Sequence, residues 1–287
     1  MRFALSALSL LALSLQALGG GLEERDLPAV GFGTAGLGSR THEATLLSLE
    51  MGVQMIDSAQ AQEWYSEEGV GSALAAFEAL HPPTEQSYVV LVTKVHPRYY
   101  ELTKMDERLA LSRHYLRREV LDAVLLHAPW CWEGHCTKEE EAVGWQTGWK
   151  NLEALKGKHS IRNIGVSNFH LAQLEQLAGM ASERVSLVQN WMDPFHQDRE
   201  VREYCAQHNI QYMAYSSLGT QWGGRLPYNP VLSSPLLQRI AQKHGASVAQ
   251  VVLAWVLAEG AVAIPRTSKP EHMESNFAFL RAGMGVG

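Results

Sequence analysis

Positive charge is in short supply in this chain. Its 24 lysines and arginines stand against 30 acidic residues, and a net charge of −6 leaves no basic face for nucleic acid. No run of like charges is long enough to suggest a charged binding tail. Nothing reads as a linker, so the expectation is a single domain, and 46% hydrophobic with 19% charged residues gives it a sizeable core. The apolar run Phe3–Leu18 holds only 16 residues, short of the roughly 18 to 20 that cross a bilayer comfortably. It follows Met1-Arg2 and ends in Ala17-Leu18-Gly19, with small residues three and one before a cut, which reads as a secretory signal peptide over residues 1–19. The expected location is therefore the secretory pathway, lumenal or secreted, with the mature chain starting near Gly20. An uncleaved membrane anchor and an organellar presequence rank second and third.

Cysteine is scarce as well. Cys131 and Cys136 flank Trp132-Glu133-Gly134-His135, close enough for a small disulfide in an oxidising lumen. A metal site through His135 is the poorer reading, because one Cys-x4-Cys and one histidine do not complete four ligands. Cys205 falls in a helical pattern and is expected to be a buried, inert thiol.

Past residue 20, apolar runs of strand length recur eight times: Ala29–Phe32, Val53–Ile56, Tyr88–Val92, Leu121–Leu126, Ile161–Val166, Ser186–Val188, Gln211–Ala214 and Ala261–Ile264. Helical patterns lie between them over Glu43–Met51, Val70–Leu80, Leu102–Leu116, Trp149–Leu155, Leu171–Ala178, Glu200–Gln207 and Val248–Leu257. Strand and helix alternating in this way predict an α/β fold, a (β/α)8 TIM barrel over residues 20–287. The longest irregular pieces, Trp130–Ala142 and Gly219–Asn229, both follow strands, where barrel enzymes place their pocket walls.

Asp57 ends the second run and Tyr65 follows it within one loop; Lys94 ends the third run and His127 the fourth. If the strands are parallel neighbours, four ionisable groups converge at one end. A lysine beside a phenol lowers its pKa, an aspartate holds the lysine, and a neutral imidazole orients a carbonyl oxygen. Such a set suits protonation of a carbonyl oxygen while its carbon takes hydride from a nicotinamide, with no metal required. One motif points elsewhere: Gly31-Phe32-Gly33-Thr34-Ala35-Gly36 matches the G-x-G-x-x-G of a Rossmann fold, with Asp57 near its acidic position. The same glycines also suit a tight turn at a barrel's first strand, and the Rossmann reading leaves Lys94 and His127 without a role.

The ordered motifs resemble the aldo-keto reductase superfamily across nearly the whole chain. They are Gly31-Phe32-Gly33-Thr34, Ile56-Asp57-Ser58-Ala59 with Tyr65 and Gly71, Val92-Thr93-Lys94, Leu126-His127-Ala128-Pro129, Ile164-Gly165-Val166-Ser167-Asn168-Phe169, Val188-Gln189, Ala214-Tyr215-Ser216-Ser217-Leu218-Gly219, and Ile264-Pro265-Arg266-Thr267. The resemblance implies a (β/α)8 barrel and NADPH-dependent reduction of a small-molecule carbonyl. Tyr65 would be the proton donor, Lys94 and Asp57 would tune it, and His127 would orient the substrate. Gly33, Thr34 and Asp57 join the implied cofactor set; Ser167, Asn168 and Gln189 would hold the carboxamide, Tyr215 would stack on the nicotinamide, and Ser216 and Leu218 would wrap the pyrophosphate. Arg266, Thr267 and Asn276 keep the pattern near the 2′-phosphate, whereas His272 stands where the family usually has arginine and Ser275 where it often has glutamate. Five residues separate Ala59 from Tyr65 where the family usually has two, and the family's final helix and substrate loop are expected to be missing.

Two other classes compete with a reductase. A cofactor-binding barrel acting as a sensing or interaction module would need an exposed partner face, for which Trp130, Trp132, Trp145 and Trp149 are candidates. A metal-dependent barrel hydrolase lacks both a His-x-His after the first strand and clustered carboxylates. The expectation is thus an NADPH-dependent aldehyde or ketone reductase, monomeric, with neither metal nor nucleic acid.

Overall fold

The computed structural model describes residues 27–84 and 87–284, so the expected leader lies outside the described residues. Eight strands form one parallel sheet in sequence order. They are β1 (Phe32–Gly33), β2 (Met55–Asp57), β3 (Val90–Val95), β4 (Leu121–Leu126), β5 (Ile161–Ser167), β6 (Leu187–Trp191), β7 (Gln211–Tyr215) and β8 (Val262–Ala263). The sheet closes on itself, since Val30 bridges Ala263 in parallel and Gly31 N donates to Ala263 O at 2.8 Å. A closed parallel sheet with sequential strands is the (β/α)8 barrel and not the open, doubly wound sheet of the Rossmann alternative. Gly33 has a packing reason of its own, because a Cβ there would stand 2.9 Å from Ile264 O on the closing strand.

Period-two alternation in the strands sets up the site. One core cluster contains Met55, Val90, Val92, Ala123, Leu125, Leu187, Met213, Val262 and Ile264, the side chains that fill the barrel. Two positions beyond the last of these on successive strands stand Asp57, Lys94, His127, Gln189, Tyr215 and Arg266. Side chains two apart share a face, so the residues that cap the apolar filling point into the same mouth. The larger cluster, with Ile56, Leu91, Val124, Ile164 and Val188, lies between strands and helices.

The surrounding helices are α1 (Thr41–Glu50), α2 (Glu67–Leu80), α3 (Leu102–Leu116), α4 (Lys138–Leu155), α5 (Leu171–Ala178), α6 (Arg199–Gln207), α7 (Pro235–His244), α8 (Val248–Ala258) and α9 (Pro270–Met284). Three differ from the sequence reading. Helix α4 begins eleven residues before Trp149, at Lys138, because Thr137 forms a capping box with Glu140 and three glutamates occupy the first turn; Gly144, at φ 68°, kinks it. Helix α7 was not expected, although Ser234 caps it, Pro235 opens it and Gly245 ends it in the left-handed conformation. The third, α9, was not in the sequence reading and follows β8 as the helix of the eighth strand–helix unit. The tryptophans do not form one exposed face: Trp145 and Trp149 are core residues on α4, and of the four only Trp130 is largely exposed. Among the described residues, no helix is long and apolar enough to cross a membrane.

Candidate active site

At the C-terminal end of the strands lies a cleft of about 740 Å³ whose walls include Asp57, Tyr65, His127, Ser167, Asn168, Gln189, Tyr215, Ser216, Leu218 and Arg266. Lys94 is fully buried beneath it. Its Nζ donates to Asp57 Oδ1 at 2.7 Å, to Oδ2 at 2.8 Å and to Ser58 O at 2.8 Å. The ring of Tyr65 lies 5.0 Å from that nitrogen and 5.9 Å from the His127 ring. The lengthened loop before Tyr65 therefore does not swing the phenol away. It folds into a turn in which Trp64 N and Tyr65 N both donate to Ala61 O at 2.9 Å, and Gln62 faces outward.

The electrostatics correct one expectation. Burial raises the Tyr65 pKa well above its ordinary value, and Asp57 and Tyr215 push the same way. Arg266 pulls the other way without offsetting them. Burial also lowers Lys94 itself, against the pull of Asp57. His127 behaves as expected: burial, followed by Lys94 and His96, depresses it well below the usual imidazole value, so the ring is neutral. Its buried Nδ1 has no hydrogen-bond partner among the described residues, and the residue itself forms part of the cleft wall.

Several side chains expected at the cofactor already have protein partners. The nitrogen of Gln189 donates to Asp57 Oδ1 at 2.7 Å and to the Met213 sulfur at 3.0 Å. A carboxylate only accepts, so the amide nitrogen must face it and the amide oxygen is the atom left for a ligand. Asn168, at φ 63°, donates to His127 O at 2.8 Å and to Ser167 Oγ at 3.1 Å, and accepts from Tyr215 Oη at 2.6 Å. It chiefly fixes the orientation of the Tyr215 ring. Ser167 keeps its own hydroxyl hydrogen for donation. Ser216 takes φ 54° and Leu218 O accepts from Asn229 Nδ2 at 2.8 Å, which pins the loop after β7.

Thr34, Thr267, His272 and Asn276 do not line the cleft. Thr34 Oγ1 is used up in the sheet, donating to Asp57 O at 2.8 Å. Thr267 Oγ1 accepts from Lys269 N at 3.1 Å, and Asn276 is buried. His272 is exposed on the first turn of α9. Ser275 Oγ lies 3.2 Å from Ser247 Oγ, and its carbonyl accepts from Gln250 Nε2 at 3.0 Å, so it joins α9 to the capping box of α8.

Sequence reasoning missed two features of this mouth. His96 is fully buried, with its ring 6.2 Å from His127 and 5.3 Å from Trp132. Alternation continuing from Val92 through Lys94 was the signal for it. Asp193 gathers the indoles of Trp191 and Trp222, each donating to Oδ2 at 2.8 Å, and so ties together two loops of the cleft wall. That contact bridges 29 residues and left no local trace.

An all-parallel barrel whose mouth holds a buried lysine–aspartate pair, a phenol and a neutral imidazole defines an oxidoreductase-type site. Residues 29–282 match the Aldo/keto reductase family model. The chain is 32% identical over 254 residues to a 9,11-endoperoxide prostaglandin H2 reductase of Trypanosoma cruzi, covering 88% of this chain and 81% of that protein. It is 28% identical over 267 residues to a glycerol 2-dehydrogenase (NADP(+)) of Hypocrea jecorina, covering 88% and 83%. An aldo/keto reductase from Brucella melitensis superimposes with a TM-score of 0.75 at 27% identity, over 90% of this chain and 91% of that one. An aldo-keto reductase of Bombyx mori, solved in complex with NADP, shares the fold at a TM-score of 0.78 and 23% identity, over 90% and 86%. The protein belongs to the aldo/keto reductase family and is an oxidoreductase.

Proposed function

We propose that this protein is an NADPH-dependent reductase of small aldehydes or ketones, with Tyr65 as the general acid. The observation that carries it is the placement of Tyr65 and the neutral ring of His127 in one cleft above the Lys94–Asp57 pair. The cleft also fits a nicotinamide amide: Ser167 has a hydroxyl hydrogen to give, Gln189 has an amide oxygen to receive, and the Tyr215 ring is held rigid by Asn168. Arg266 stands exposed at the rim, able to meet a phosphate with two donors. Bound NADPH would supply a hydride to the carbonyl carbon.

The chain's own residues handle the oxygen. His127, held neutral, orients it. Tyr65 gives up its proton to the oxygen as negative charge develops there. A raised phenol pKa does not defeat this role, because an alkoxide is far more basic than a phenolate, and it keeps Tyr65 protonated across the neutral range. Lys94 and Asp57 position the floor of the site. Trp64, Trp130 and Trp132 line the outer cleft and favour an apolar or aromatic group beside the carbonyl.

The composition of residues 1–19 supports passage through the secretory pathway. So does the Cys131–Cys136 pair, whose sulfurs stand at bonding distance with Cα atoms 6.1 Å apart. Measuring NADPH oxidation by the purified protein against a panel of aldehydes tests the activity. Turnover confined to apolar or aromatic carbonyls is expected, and cofactor binding without turnover on any carbonyl would contradict it.

A further inference from the structure

Beside the cleft, outside the proposed catalytic set, a second cluster has the chemistry of a metal site. The two sulfurs of Cys131 and Cys136 and a ring nitrogen of His96 lie within 4.8 Å of one another. His135, within the same Cys-x4-Cys loop, has its ring centroid 6.4 Å from that of His96. We propose that the reduced Cys131–Cys136 pair, together with His96 and His135, forms a tetrahedral Zn²⁺ site that the disulfide form excludes.

Two thiolates and two imidazoles are the ligand set that zinc prefers, and their charge balances the ion's. Metal–sulfur bonds of about 2.3 Å and metal–nitrogen bonds of about 2.0 Å place tetrahedral ligands roughly 3.3 to 3.8 Å apart. The cluster must therefore draw in while the two sulfurs separate. The loop has room for this: Gly134, at φ 77°, has nothing within 4 Å of where a Cβ would stand. His96 is the fixed point, fully buried at the end of β3. Its Nδ1 now accepts from Arg98 Nε at 3.0 Å and from Arg98 N at 3.2 Å, and its Nε2 lies 3.4 Å from Arg98 Nη2, so metal binding at either nitrogen must displace Arg98; the guanidinium already has a second partner in Glu63 at 2.5 Å. Glu63 Oε1 also lies 3.6 Å from His135 Nδ1, the carboxylate–histidine pairing that orients metal-bound imidazoles.

The two states exclude each other because the same sulfurs serve both. A dithiol reductant passes two electrons and two protons to the Cys131–Cys136 bond and is itself oxidised to a disulfide. Zn²⁺ then binds as the two thiols release their two protons. Trp132 sits between the two cysteines in sequence, and its ring lies 4.9 Å from that of His127. Separating the sulfurs moves this wall of the cleft, so zinc uptake should lower carbonyl turnover. That last consequence rests on the proposed function, whereas metal binding does not.

The test titrates Zn²⁺ into the full chain after phosphine reduction and into the unreduced protein, measures bound metal, and repeats the titration with Co²⁺ to detect thiolate-to-cobalt charge transfer. One equivalent is expected in the reduced protein and none in the unreduced one, with a thiolate band for Co²⁺. Affinity should fall at least ~100-fold in Cys131→Ser and at least ~10-fold in His96→Gln, while Cys205→Ser, with the remote buried thiol, binds as wild type. Far-UV circular dichroism confirms that each variant is folded. No metal retained by the reduced protein, equal binding by Cys131→Ser or His96→Gln, or a Co²⁺ spectrum without a thiolate band would overturn the proposal.

Discussion

Lys94 gives all three of its ammonium hydrogens to Asp57 and Ser58, at 2.7 to 2.8 Å, in a site where lysine and aspartate are both buried. The pair is therefore structural as well as electrostatic. It joins the ends of β2 and β3, and through Gln189 it reaches β6. Removing one partner leaves the other charge buried without compensation.

Lys94→Met should accordingly lower unfolding stability by about 3 to 5 kcal/mol, the usual result of breaking a buried ion pair. Lys94→Met combined with Asp57→Asn should recover most of that loss, because no bare carboxylate then remains. Urea denaturation of the two variants checks this. A double variant as unstable as the single one would show that packing, and not charge, dominates at the site.

Acid should destabilise the fold well before carboxylates titrate. Burial holds His127 far below the ordinary imidazole value and His96 at about 3, each helped by nearby positive charge. Both side chains bind a proton readily only once unfolded. Their contribution is complete above about pH 6.5, the unfolded value, and is lost as pH falls from there, by roughly 2 kcal/mol at pH 5 for His96. Denaturation midpoints at pH 7.5 and pH 5 measure the loss. His96→Gln should reduce it by roughly the 2 kcal/mol that His96 contributes, and an unchanged loss would remove His96 as a source.

Much of the site was legible in the sequence because strands place alternate residues on one face. Asp57, Lys94, His127, Gln189 and Tyr215 each end an apolar run, and closing the barrel was enough to bring them together. Contacts between loops were not legible. Nothing near Asp193 announces that it holds the indole of Trp222, and nothing near Asn168 announces that Tyr215 occupies its acceptor. The upward shift of the phenol was not legible either: spacing put Lys94 near Tyr65 and could not show how deeply the phenol is buried. Caps at Thr137 and Ser234 are visible in the sequence, and so is the short apolar stripe Leu237, Ile240 and Ala241 of α7, which the strand-by-strand reading passes over because α7 precedes a second helix, α8, in the same crossover.

Cofactor choice should depend on Arg266 more than on His272. Arg266 lines the cleft while His272 stands exposed on α9, away from its walls. Arg266→Ala is expected to weaken NADPH at least ~10-fold, in line with the 1.5 to 3 kcal/mol of a hydrogen bond to a charged group, and to leave NADH nearly unchanged. His272→Ala should change either cofactor less than about threefold. Fluorescence titration of both dinucleotides decides it, and equal weakening of NADH by Arg266→Ala would mean that the residue does not read the 2′-phosphate.

Single-turnover hydride transfer from bound NADPH to an aromatic aldehyde, compared between wild type and Tyr65→Phe, tests the central assignment most directly. The substitution deletes one hydroxyl and keeps the ring that packs against His127 and Lys94. NADPH affinity should stay within about threefold of wild type, while the transfer rate falls by at least the ~10²-fold typical of losing a general acid. A Tyr65→Phe protein that binds NADPH and transfers hydride at the wild-type rate would contradict the account.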